Sequence, residues 1–216
     1  MKKYKKNFEL LKKNNVYSEE MEHDACGVGL ISSTEGKKSR KVVEYGIEAL
    51  KAVWHRGAVD ADGKTGDGAG IHVEIPKDFF IEKIEVNGHT YDSSEICVGM
   101  IFLPRNDYAA QESCKTIVES ELTKNDFSIY GWRQVPVDPK VLGDKAFQTM
   151  PEIIQVLFKS NNPELLNKEL ERKIYETRRK IENKAFQISL NNFYICSISS
   201  KSIIYKGMFL AEAISD

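Results

Sequence analysis

The run Ile96-Cys97-Val98-Gly99-Met100-Ile101-Phe102-Leu103 limits the fold more than any other stretch. It is far shorter than the roughly 20 apolar residues that a membrane-crossing helix needs, and no window approaches that length, so no membrane span is expected. The run reads as a strand inside a core. With 216 residues, 41% of them hydrophobic, the chain can build one sizeable core or two small ones. Its 31 basic and 32 acidic residues leave a formal charge of -1, which gives no global reason to bind nucleic acid or an anionic membrane.

Other elements follow from period and punctuation. A polar leader, residues 1–25, has helical content around Phe8 to Lys13, and its basic start is broken by Asn7, Glu9, Asn14 and Asn15 before any apolar core of an export signal forms. A cytoplasmic protein is expected. Cys26 to Ile31 reads as a short buried strand, and Val43, Ile47, Leu50 and Trp54 as the core-facing stripe of a helix from Arg40. After a glycine-rich loop come a strand at Ile71 to Ile75, a short helix at Lys77 to Lys83 and an Asn87-Gly88 turn. The apolar run follows, then a helix from Asn106 to Leu122 and strands at Phe127 to Val135 and Ile153 to Phe158. Asn162-Pro163 reads as the capped start of a long helix through Leu166, Leu170, Ile174, Ile181 and Phe186. Its charges read as a solvated face, and Phe193 to Ser199 and Ser202 to Tyr205 as a hairpin. The fold class is a strand-rich α/β or α+β domain edged by helices.

The chemistry-bearing residues sit early. Cys26 opens Cys26-Gly27-Val28-Gly29 directly behind the leader. As a new N-terminus it would carry its own base, because an α-amino group titrates near ~8 and a thiol near ~8.5. A free cysteine is equally at home as a small buried hydrophobe, and the residue alone leaves both readings open. Arg56, between a helix end and Gly57, can present its planar fork to a carboxylate or a catalytic terminus, or can simply stabilise a helix end. Thr65-Gly66-Asp67-Gly68-Ala69-Gly70 lacks the Gly-Lys-Ser/Thr ending of a phosphate loop and precedes a strand, so a nucleotide cradle is not expected. Asp60, Asp62 and Asp67 lack calcium-loop spacing and read as loop-stabilising carboxylates. Cys97, Cys114 and Cys196 form no close pair, Cys97 and Cys196 read as core residues, and His23, His55, His72 and His89 show no ligand spacing; no metal is assigned.

Taken in order, these segments resemble one family. Glu22-His23-Asp24-Ala25-Cys26-Gly27-Val28-Gly29, His55-Arg56-Gly57-Ala58, Thr65 to Ile71, Gly131-Trp132-Arg133-Gln134-Val135-Pro136-Val137 and Ile204-Tyr205-Lys206-Gly207-Met208 are similar to the start of the large subunit of glutamate synthase. The resemblance implies a class II glutamine amidotransferase domain of the N-terminal-nucleophile hydrolase fold, an α+β αββα sandwich of two stacked sheets between helices. Residues 1–25 would be a removed leader and residues 26–216 the N-terminal portion of that domain. It implies that Cys26 attacks the side-chain amide of L-glutamine and that Arg56 helps organise the substrate pocket. The family's Arg-Phe-Ser-Thr and Asn-Gly segments, which follow the Tyr205 to Met208 stretch and hold the substrate carboxylate and the oxyanion, are not reached between Met208 and Asp216. FMN and an iron-sulfur cluster are implied only for the full-length family enzyme, with the remaining synthase domains and its small subunit as partners. Two other expectations stand beside this one: a fragment or binding module that keeps the fold without turnover, and another class II amidotransferase, against which the Thr65 to Gly70 and Gly131 to Val137 segments argue.

Overall fold

The computed structural model describes residues 2–14, 18, 27–54, 57–92 and 94–215. Six α-helices and six strands are described, besides short 3-10 helices: α1 (Lys2–Lys13), α2 (Arg40–Ala52), β1 (Ala69–Glu74), α3 (Lys77–Val86), β2 (Cys97–Leu103), α4 (Tyr108–Lys124), β3 (Phe127–Gln134), α5 (Asp144–Thr149), β4 (Glu152–Ser160), α6 (Asn167–Gln187), β5 (Tyr194–Ser199) and β6 (Ser202–Gly207). The architecture is mixed α+β, and no described helix is long and apolar enough to cross a membrane.

The apolar run becomes β2, a central strand of a four-stranded antiparallel sheet in the order β3-β4-β2-β5. Alternation divides its side chains between two layers. Cys97, Ile101 and Leu103 join Ile154, Val156 and Phe158 on the face covered by α4 and α6, where Cys114, Val118, Leu122, Leu170, Ile174 and Ile181 are buried. Val98 and Met100 join Leu157, Tyr130 and Cys196 on the other face, against Phe80 and Ile84 of α3 and Ile203 of β6. Fully burying an aliphatic or aromatic side chain is worth about 1.5–3 kcal/mol, so these two layers carry the fold. Caps mark the helix starts: Ser39 Oγ accepts from Lys41 N at 3.2 Å, and Asp107 Oδ1 from Ala110 N at 2.9 Å.

β5 and β6 do reverse across Ser200-Lys201, but they are not ladder partners. β6 pairs antiparallel with β1 in a separate two-stranded sheet, while β5 pairs with β2. Side chains hold the crossing. Glu171 of α6 accepts from Ser199 Oγ at 2.9 Å and from Ser200 N and Oγ at 2.7 Å each, and Ser197 Oγ takes the Ile204 N–H at 3.1 Å.

Other expectations need correction. Residues 27–31 form no strand, and Val28 and Leu30 are 89% and 88% exposed, because no described strand edge takes up their backbone. The helix from Arg40 does not face the core: none of its residues is buried, Val43, Ile47 and Leu50 are only half-buried and join neither layer, and Trp54, in a 3-10 turn beyond the end of α2 at Ala52, is 63% exposed. Phe186, at 82% exposure, points away from the core that Leu170, Ile174 and Ile181 enter. Asn162 does not cap α6; its side chain accepts from Glu164 N at 3.0 Å in a turn, and the helix begins at Asn167. The α6 charges are only partly a solvated face: Arg172 pairs with Glu176 and both Arg178 and Arg179 with Glu182 within the helix, but Arg178 also donates to Ile195 O at 2.8 Å, Lys184 pairs with Glu121 of α4 and Glu171 holds the β5–β6 crossing.

Candidate active site

The glycine-rich loop between α2 and β1 is built on short-range hydrogen bonds. Asp62 Oδ1 accepts from Lys64 N at 2.9 Å and Thr65 N at 2.7 Å, and its Oδ2 from Thr65 Oγ1 at 2.5 Å. Asp60 Oδ1 accepts from Ala61 N at 2.7 Å, and a bridge joins Val59 to Gly66. The loop-stabilising role expected of these aspartates is what Asp60 and Asp62 perform. The Thr65 hydroxyl, followed by the backbone donors, brings the Asp62 carboxyl down to about 2. Lys145 does the same for Asp60, more weakly, and is itself raised by that partner.

Two close approaches join this loop to distant chain. A Cβ on Gly66 would lie 2.6 Å from the Phe209 carbonyl oxygen, so the loop backbone rests directly on the segment after β6. A Cβ on Gly143 would fall on Asp62 Oδ2 and Thr65 Oγ1, so the stretch between β3 and β4 packs on the loop with no side chain between them. Lys145 Nζ adds an ion pair to Asp60 Oδ2 at 2.8 Å.

Next to these contacts, and lined by neighbours of the residues that make them, lies a cavity of about 1090 Å³. Its floor is the end of the second sheet face, Met100, Phe102 and Ile153, with Ile204 and Tyr205 of β6; Val135 to Leu142 and Met208-Phe209 form walls, and Asp67 reaches it from the glycine-rich loop. Behind the floor, Gln155 is fully buried and bridges the layers: its Oε1 accepts from Arg133 Nη1 at 2.8 Å, and its Nε2 donates to Tyr205 Oη at 3.4 Å. The Gly131 to Val137 and Ile204 to Met208 segments, far apart in sequence, therefore meet at one cavity.

Cys26 and Arg56, the two site residues expected from sequence, lie outside the described residues, as do His23 and His55. Gly57, next to Arg56 in sequence, is described, and a Cβ there would lie 3.3 Å from Asp67 Oδ1. The Gly143 contact with Asp62 and Thr65 and the Gln155 bridge were not anticipated. Gly143 belongs to no motif in the sequence, and no local pattern announces a contact across about eighty residues.

Among the described residues no group of three histidine, cysteine or acidic side chains converges on a point that could hold a metal. Cys97, Cys114 and Cys196 are buried on separate elements. Burial pushes their thiols up, Cys114 to about 11, so they are held protonated.

The sequence profile of the family "Glutamine amidotransferases class-II" matches residues 26–216. The chain belongs to the class-II glutamine amidotransferases. It is 54% identical over 201 residues to the glutamate synthase (NADPH) large chain of Azospirillum brasilense, covering 93% of this chain and 13% of that protein. It is 38% identical over 212 residues to a ferredoxin-dependent glutamate synthase of Pyropia yezoensis, covering 95% and 13%. With ferredoxin-dependent glutamate synthase 2, chloroplastic, of Arabidopsis thaliana it shares 36% over 211 residues, covering 96% and 13%. The chain thus spans 13% of the length of these relatives.

Proposed function

We propose that this chain is the glutamine-hydrolysing portion of a glutamate synthase, with Cys26 as its nucleophile. The observation that carries the reading is that the family match begins at Cys26 itself, with relatives named glutamate synthases aligned over most of the chain. Residues 1–25 are a leader removed by cleavage between Ala25 and Cys26, and residues 26–216 belong to the catalytic domain. Helices α4 and α6 on one face of a sheet, with a second sheet against the other, support an N-terminal-nucleophile sandwich.

The chemistry balances on this residue. The α-amino group of Cys26 takes the thiol proton, and Sγ attacks the side-chain carbonyl carbon of L-glutamine. The tetrahedral intermediate collapses, the C–N bond breaks, and ammonia leaves with the transferred proton. Water then attacks the γ-glutamyl thioester, releasing glutamate and restoring the thiol. Arg56 organises the pocket. Oxyanion donors, typically worth ~10² to 10³ in rate, are supplied by parts of the longer protein, as are FMN and the iron-sulfur cluster, for which this chain's described cysteines offer no ligand set. The ammonia is passed to 2-oxoglutarate there, in the cytoplasm.

The test is Cys26→Ser in the polypeptide expressed from its complete gene. Ammonia release from glutamine falls to background while the circular dichroism spectrum stays that of the parent. Retained hydrolysis sinks the assignment.

A further inference from the structure

We propose that Asp62 is a positioning residue for the glutamine pocket, acting as a latch. Through Thr65 and the bare backbone of Gly143 it fixes the glycine-rich loop to the chain between β3 and β4, and so sets the mouth of the cavity. The inference rests on the amidotransferase reading above and extends it to residues outside the reacting groups.

Asp62, Thr65 and Gly143 do not line the cavity, yet their near neighbours do: Asp67 on the loop side, Leu142 and Ala146 on the other. Displacing the latch therefore displaces both walls. The latch has little slack. Thr65 is 3% exposed, its hydroxyl and N–H are both held by Asp62, and a methyl at Gly143 would overlap both partners. The opposite side of the loop is held where Gly66 meets the Phe209 carbonyl. A loop pinned on both sides delivers Asp67 to a fixed position without touching substrate. Lys145 to Asp60 is a second tie between the same segments, but it is exposed, and such pairs contribute little.

Misplacing a positioned group by about 1 Å costs on the order of 10² in rate, so small shifts of the latch should be readable. The experiment uses the polypeptide expressed from its complete gene and a glutamine-mimicking diazo-ketone that alkylates the nucleophilic cysteine, with iodoacetamide as a thiol reagent that needs no pocket. Asp62→Asn and Gly143→Ala are expected to raise the half-saturating diazo-ketone concentration about tenfold or more, while iodoacetamide labelling of Cys26 stays within about twofold. Thr65→Val should behave like Asp62→Asn, Thr65→Ser should restore the parent value, and Lys145→Ala should leave it nearly unchanged. Parent-like half-saturation in both Asp62→Asn and Gly143→Ala overturns the inference. So does an equal change in both reagents, which marks a general loss of fold instead of positioning. An unlabelled parent protein overturns the amidotransferase reading, and the latch falls with it.

Discussion

One face of the four-stranded sheet is covered along its length by α4 and α6, with Val156, Phe158, Leu122 and Leu170 at zero exposure. The other face is closed by α3 and β6 around Val98 and Leu157, but its far end, Met100, Phe102 and Ile153, forms the cavity floor. The covered face is made of apolar side chains. The open end is bordered by close backbone approaches, the Asp62 hydrogen bonds and the buried Gln155 bridge. The first arrangement stabilises; the second holds positions and leaves room for a ligand.

The largest expected effect lies in the covered layer. Phe158→Ala should cost about 3–5 kcal/mol in urea unfolding, and Phe102→Ala at the cavity end clearly less. Equal losses would erase the distinction between the two ends. Next is Gly99→Ala on β2, where the added Cβ would lie 2.7 Å from Val156 Cγ1 and 3.6 Å from Ile198. Overpacking of that kind typically costs about 1–3 kcal/mol, and an unchanged denaturation midpoint would show that the layer has slack.

How much was legible follows the same division. The apolar run gave β2, and Leu170, Ile174 and Ile181 gave the buried stripe of α6, because burial leaves its period in the sequence. Period alone misled where tertiary contact decides the outcome. Cys26 to Ile31 has strand composition, yet residues 27–31 have no described neighbouring strand; the α2 stripe stays half-buried up to an exposed Trp54, and Phe186 continues the α6 stripe beyond the surface the core covers. At the candidate site, the loop and its aspartates were visible as motif. The Gly143 latch and the Arg133–Gln155–Tyr205 bridge were not, since each joins segments distant in sequence.

A smaller effect separates the latch from the core by pH. Asp62 titrates at about 2 in the folded protein, below the ordinary 3.8 of the unfolded chain, so its contribution is full above that ordinary value and is lost as pH falls through about 2. Asp62→Asn should flatten the dependence of the urea midpoint on pH in that window and leave the neutral range parallel to the parent. A parent-like acid slope would remove Asp62 as the group responsible. Smallest of all, Tyr175→Ser, at a 62% exposed position on α6, should change stability by no more than about 0.5 kcal/mol. A larger loss would show that the outer face of α6 is engaged after all.

The central claim is that Cys26 is the N-terminal nucleophile, and intact-mass measurement after exposure to the glutamine-mimicking diazo-ketone tests it most directly. The account predicts a polypeptide beginning at Cys26, lacking residues 1–25, with a single adduct that peptide mapping assigns to Cys26. A protein that keeps its leader, or that carries the adduct on Cys97, Cys114, Cys196 or nowhere, contradicts it.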